Sequence, residues 1–230
     1  MVDVPDEIEL TAPQARVLGS LIEKAATTPD AYPLTLKALT TACNQTSSRD
    51  PVVDYEPQLV ETTVLALKAK GLARVVHPGA GERATKYRHV AHEALELGPA
   101  ELAVLAVLLL RGAQTVSELR TRTERLHGFA SADEVESTLE RMAAWPGRPL
   151  VVRVERQPGQ KEARWIQLLE ADVEGRAAAS ATAGTAGGVA GRSGRVEELE
   201  QRVARLEQRV AQLVEALGDL VELPADAPSD

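Results

Sequence analysis

PQLVETTVLALKAKGLARVVHPGAGERATKYRHV, residues 57–90, decides the fold. Pro57 suits the first position of a helix, because the N–H it lacks would be unpaired there anyway and its fixed φ is already helical. Val60, Val64 and Leu67 then recur at helical spacing, and Gly71 supplies the stop. LARVV and ATKYRHV lean towards strand, and the joining HPGAGER at 77–83 is too rich in glycine to be anything but a turn. The stretch reads as a helix followed by a β-hairpin.

Working backwards, Thr11 with Gln14 forms a capping box, and Val17, Leu18, Leu21 and Ile22 set a first helix to about Ala26, ended by Thr-Pro and Tyr-Pro. Thr35 caps a second helix with Leu36, Leu39 and Ala42 on its apolar face, and Leu34 with Leu39 makes a hydrophobic staple. Helix, helix, helix, hairpin is the winged-helix order.

Working forwards, the pattern repeats. Gly98 and Pro99 open AELAVLAVLLLRG, in which Val104-Leu105 corresponds to Val17-Leu18. Thr115 with Glu118 and Ser131 with Glu134 read as two more capping boxes, starting helices with Leu119 inward and with Val135, Leu139 and Met142 inward. Leu150 to Arg156 and Arg164 to Leu169 flank Gln157–Lys161 as a second hairpin. From Gly175 to Gly194 the chain is Ala, Gly, Ser and Thr with almost no large side chain, which reads as a linker. Val196, Leu199, Val203, Leu206, Val210, Leu213, Leu217 and Leu220 then alternate spacings of three and four. Valine at a and leucine at d favour a parallel two-stranded coil, with Arg202 at g reaching Glu207 at e of the partner chain. A helix folded back on the chain's own domains is the alternative. The expected fold is α+β, mainly α with small β-hairpins. It comprises an acidic tail (1–9), a first winged-helix domain (10–92), a second (93–170), an Ala/Gly linker (171–194), a coiled coil that makes a homodimer (195–223) and a tail (224–230).

Composition bounds the function. Aromatics at 3% mean cores of Leu, Val and Ala. Cys43 is the only cysteine of this sequence, so an intramolecular disulfide and a cysteine metal cluster are excluded and a reducing compartment fits. The acidic start lacks a signal-peptide pattern and no apolar run approaches the length of a membrane span, so the expected location is the cytoplasm, without membrane partners. The formal charge of -8 is unevenly spread: residues 1–9 hold four acids and no bases, 171–230 hold eleven acids against six bases, and the stretch between carries +1. Global charge therefore neither favours nor excludes DNA.

The segments RVLGSLIEKAATTPDAYPLTLKALTTACNQ, CNQTSSRDPV, KAKGLARVV, KYRH and ELAVLAVLLLRGAQTVSELRTRTERLHGFA, with the later EARWIQLL, closely resemble the YceH-like family of bacterial proteins over roughly residues 10–170. The resemblance implies tandem winged-helix domains and supplies no chemistry. The chain departs from the family at TSSRD, where members commonly carry lysine in place of Thr46, and in its long Ala/Gly linker.

If the third helix enters a major groove, Gln58 and Thr62 are the residues to read base edges, while Lys68 and the wing residues Arg83, Lys86 and Arg88 contact phosphate. Arg49, in the long loop 43–54, is a candidate clamp for a phosphate or a partner's carboxylate. Against DNA stands Glu61 on the same face, and the ordinary alternative for Arg49 is a local salt bridge with Asp50. The second third helix begins with Asp133, Glu134 and Glu136, which would repel DNA and mark a structural or protein-binding copy. Arg120, Arg122 and Arg125 read as a solvated face, and Cys43 as a small core residue. His77, His89, His92 and His127 lack ligand spacing, so no metal is expected. Nucleotide loops, nucleophile elbows and HExxH are absent from the sequence, so neither an enzyme nor a cofactor is expected. Two functions remain: a DNA-contacting regulator, or a scaffold whose winged helices dock proteins, as in the tandem winged-helix subunits of chromosome-condensing complexes.

Overall fold

The computed structural model describes residues 8–78, 84–154, 156 and 162–170. Residues 1–7 of the acidic tail, the linker, the heptad segment, the C-terminal tail and Arg83 lie outside the described residues, and the coiled-coil expectation falls there. The chain divides into a unit of residues 1–181 and a unit of residues 182–230, and the description concerns the first.

The first half runs α1 (Ala12–Thr27), a 3-10 turn (Pro29–Ala31), β1 (Leu34–Thr35), α2 (Leu36–Cys43), α3 (Pro57–Ala69), β2 (Ala73–Val76) and β3 (Lys86–His89). After the short α4 (Ala91–Ala94), the second half runs α5 (Pro99–Arg111), α6 (Val116–Thr123), α7 (Ala132–Ala143), β4 (Val151–Val154) and β5 (Arg164–Gln167). This is a mixed α+β arrangement of α-helices with small antiparallel sheets. The first sheet is ordered β1-β3-β2 and the second pairs β4 with β5. Gln114 forms a further bridge to Trp165, in the place that Leu34 takes against Tyr87.

Caps set the helix starts. Thr11 and Gln14 exchange both bonds of a capping box, as do Thr115 and Glu118, and Thr35 accepts from the Ala38 N–H. Ser131 accepts from the Glu134 N–H, but the Glu134 carboxylate turns back to the Ala130 N–H at 2.7 Å, so that box is only half made. Two elements escape the sequence pattern. β1 is two residues long, too short for any alternation, and α4 is a single turn.

The halves share one hydrophobic core. Helices α1 and α5 pack along each other, and each is buried almost all round: Gln14 to Ile22 in one, Ala103 to Leu110 in the other. Gly19 permits the approach, since a Cβ there would lie 2.9 Å from Leu110 Cγ and 3.1 Å from Leu109 Cβ. The Leu10 N–H donates to the Leu169 carbonyl at 2.6 Å and the Asp50 N–H to the Leu110 carbonyl at 2.9 Å, tying the halves at two more places.

Candidate functional site

Arg49 lies inside the protein. Its side chain is 0% exposed and forks onto Glu23, Nη1 to Oε1 at 3.0 Å and Nη2 to Oε2 at 2.6 Å. The same guanidinium donates to the carbonyls of Ala42 and Ser48 and to Gln45 Oε1. Arg16 on α1 adds bonds to the carbonyls of Cys43 and Pro51, and Asn44 brackets Tyr55 with one bond each way. With its N–H groups taken by Glu23, Gln45 and the carbonyls of Ala42 and Ser48, the Arg49 guanidinium has no donor directed outward to a phosphate and instead braces the loop before α3 from within. The signal was present in the sequence as Glu23, but a contact between residues so far apart has no local spacing to reveal it. Burial pushes the Glu23 carboxyl up, yet the Arg49 bonds and charge, helped by Lys24, leave it below the usual carboxylate range. Cys43 is a fully buried core residue, and burial pushes its thiol up to about 11.

Helix α3 buries Val60, Thr63, Val64 and Leu67 and leaves Gln58, Thr62 and Lys68 exposed. Its outward residues also include two leucines, Leu59 at 42% and Leu65 at 47% exposure, and Val52 stands out at 56% just before it. Leu59 is the residue the sequence reading passed over, though it sits one helical turn before Thr62. Glu61 is half-buried.

On the hairpin, antiparallel register sets Arg74 opposite Arg88, with Lys86 opposite Val76. Lys86 and Arg88 alternate with the buried Tyr87 and His89, so the cations share the outer face. Glu93 on α4 sits against this group, 2.7 Å from Arg74 and 3.9 Å from Arg88. Arg74 joins the expected wing cations because the register brings it there. Beneath the hairpin, His89 is buried with its backbone N–H donating to Tyr32 Oη at 2.6 Å, while His89 Nδ1 has no partner among the described residues. Burial, with His92 and Arg88 nearby, lowers its pKa to about 4. Among the described residues no group of three or more His, Cys, Asp or Glu is placed to hold a metal ion.

In the second half, Glu118 caps α6 and accepts from Arg164 at 2.7 Å, locking α6 to β5. An open cleft of about 350 Å³ lies beside β4, lined by Glu136, Arg153, Arg156, Glu162 and Trp165 among others, with its charges balanced. Asp133 and Glu134 are exposed in the first turn of α7.

The folded unit thus belongs to the class of helix-rich α+β proteins, with one arrangement of three helices and a hairpin occurring twice. The chain is a member of the family described as "Protein of unknown function, DUF480", whose model matches residues 10–160. It is 51% identical over 164 residues to a UPF0502 protein of Opitutus terrae, covering 71% of each chain. A UPF0502 protein of Geotalea daltonii is 52% identical over 71% of this chain and 73% of its own, and one of Pseudomonas aeruginosa 48% identical over 72% and 73%. No helix among the described residues is long and apolar enough to cross a membrane.

Proposed function

We propose that this chain is a non-enzymatic cytoplasmic docking protein. In this reading each half is a winged-helix module, the outer face of α3 receives a protein partner, and residues 195–223 pair two chains as a parallel coiled coil. One observation carries the docking role: Leu59 and Leu65 are 42% and 47% exposed on the face a winged helix would present to DNA. Base edges and phosphates reward hydrogen-bond donors and positive charge, whereas an exposed apolar pair gains most from burial against protein.

DNA contact by the first module is the second reading, favoured by the cations Arg74, Lys86 and Arg88 on one hairpin face. Gln58, Thr62 and Lys68 would then face the duplex. Fluorescence anisotropy of labelled random duplex DNA, titrated with the full chain at low and near-physiological salt, separates the two. The docking reading expects no salt-sensitive binding at micromolar protein. Binding that weakens steeply with salt and is lost on combined Lys86→Glu and Arg88→Glu would replace it with the DNA reading. Deleting 195–223 is expected to halve the mass seen by light scattering, and an unchanged mass would remove the coiled-coil pairing.

A further inference from the structure

The repeat makes the exposed leucines informative. The buried set of α3, Val60, Thr63, Val64 and Leu67, falls on the buried set of α7, Val135, Thr138, Leu139 and Met142. With the helices so aligned, Leu59, Thr62 and Leu65 correspond to Glu134, Ser137 and Glu140, all exposed. The same fold therefore accepts glutamate at both leucine positions, so folding of the repeat does not itself call for leucine there.

The row is also nearly a palindrome. Counting outward from Thr62, Leu59 matches Leu65, and the acidic Glu56 at the N-cap matches the basic Lys68 in the last turn. A helix with this pattern complements itself when a second copy lies antiparallel about a two-fold axis through Thr62. Leu59 of one copy then stands level with Leu65 of the other, and the acidic N-terminal end lies beside the basic C-terminal end. The helix dipoles run in opposite directions, which adds to the fit.

We propose that the outer face of α3 docks onto the same face of a second copy of this chain, antiparallel about Thr62. This rests on the docking reading of that face and names its partner. One helix pair covers less than the roughly 1,200 Å² that stable complexes bury, so the contact is weak between free chains and gains from any link that raises local concentration.

The test uses full-length protein carrying Thr62→Cys, treated with a mild thiol oxidant. Cys43, the one native thiol, is fully buried and gives no background. A Thr62 thiol on the axis meets its own copy, so a reducible dimer is expected to form about tenfold faster than with Thr121→Cys, an exposed control on α6. Adding Leu59→Glu with Leu65→Glu should abolish that excess. Adding Glu56→Lys or Lys68→Glu should slow it severalfold, and combining the two reversals should restore it, an outcome that a merely structural effect would not give. Equal rates at positions 62 and 121, or an excess untouched by the two glutamates, overturn self-docking. The DNA titration tests the docking reading separately, so either idea can fail alone.

Discussion

Two hairpins of the same length in the two halves put different chemistry at matching cross-strand positions. In the first, Arg74 pairs with Arg88; at the matching positions of the second, Val152 pairs with Ile166, and Ile166 is buried. The third helices differ in the reverse sense: α3 shows leucines where α7 shows glutamates. The connections into them differ as well. Asn44–Glu56 is nailed down by Arg16 and Arg49, whereas Glu124–Ser131 is shorter and held by the Leu126 and His127 N–H groups on the Thr123 carbonyl, by Arg120 on the Ala130 carbonyl and by Glu134 accepting from the Ala130 N–H. One scaffold is kept by its inward residues while its outward residues are free to diverge, and only the first half combines a braced loop, an apolar helix face and a basic hairpin face. On the proposed docking reading, that asymmetry places the interacting surface in the first half.

The bracing can be broken directly. Arg49→Met leaves Glu23 without its fork and the Ala42 carbonyl without its donor, which should cost about 3 kcal/mol. Chemical denaturation measures it, and a loss below about 1 kcal/mol would show that the cage is not what fixes the loop. Because the Glu23 carboxyl is depressed, its contribution is present above the ordinary value of 4.5 and is lost as pH falls through the lower folded value. The variant should therefore lose less stability than the parent on acidification. Gly19→Val drives a branched side chain into Leu109 and Leu110 at the seam between the halves, with an expected cost of about 2–3 kcal/mol. If the halves are held chiefly elsewhere, the melting temperature will barely move.

The scaffold was legible in the sequence because its signals are local. Thr11 with Gln14, Pro57, Gly71 and Thr115 with Glu118 each act within a few residues, and each element they bound is present. The helix starting at Ser131 was legible too, although its Glu134 bonds one residue further out than a capping box requires. The surfaces were less legible. Arg49 looked like a loop cation because its partner Glu23 is on another helix, and Arg74 joined the cations of the first hairpin only once register set it across from Arg88. The shared core was hidden for the same reason, since α5 reads as a self-sufficient apolar helix until Gly19 of α1 is seen against it.

Positions His89 and Gln167 sharpen the comparison under acid. Both are buried, as the last residues of β3 and β5, but Gln167 Oε1 accepts from the Leu169 N–H at 2.6 Å, while His89 Nδ1 has no partner among the described residues. The folded His89 value of about 4 lies below the ordinary 6.5, so the unfolded chain binds the proton more readily and stability falls as pH drops from 6.5 towards 4. His89→Gln, which copies the second half, should flatten that part of a melting-temperature profile against pH. A slope unchanged by the substitution would assign it to other groups. The leucines give a smaller effect on stability. Leu59→Glu with Leu65→Glu makes α3 resemble α7 and should shift unfolding by no more than about 0.5 kcal/mol. A larger loss would mean that the exposed pair supports the fold.

Glu93 is expected to matter least to stability and still divides the readings of the first hairpin. Its ion pairs with Arg74 and Arg88 are exposed, so Glu93→Gln should change unfolding by less than about 0.5 kcal/mol. Removing that carboxylate leaves the hairpin face more positive, and a phosphate backbone would respond to the added charge even where the fold does not. Under the DNA reading the variant binds duplex more tightly and with a steeper salt dependence. Under the docking reading the variant still binds no duplex at micromolar protein, because the surface that recognises the partner is the leucine row of α3. Anisotropy on the single variant therefore asks whether the basic face of this hairpin meets nucleic acid, at almost no risk of mistaking unfolding for lost binding.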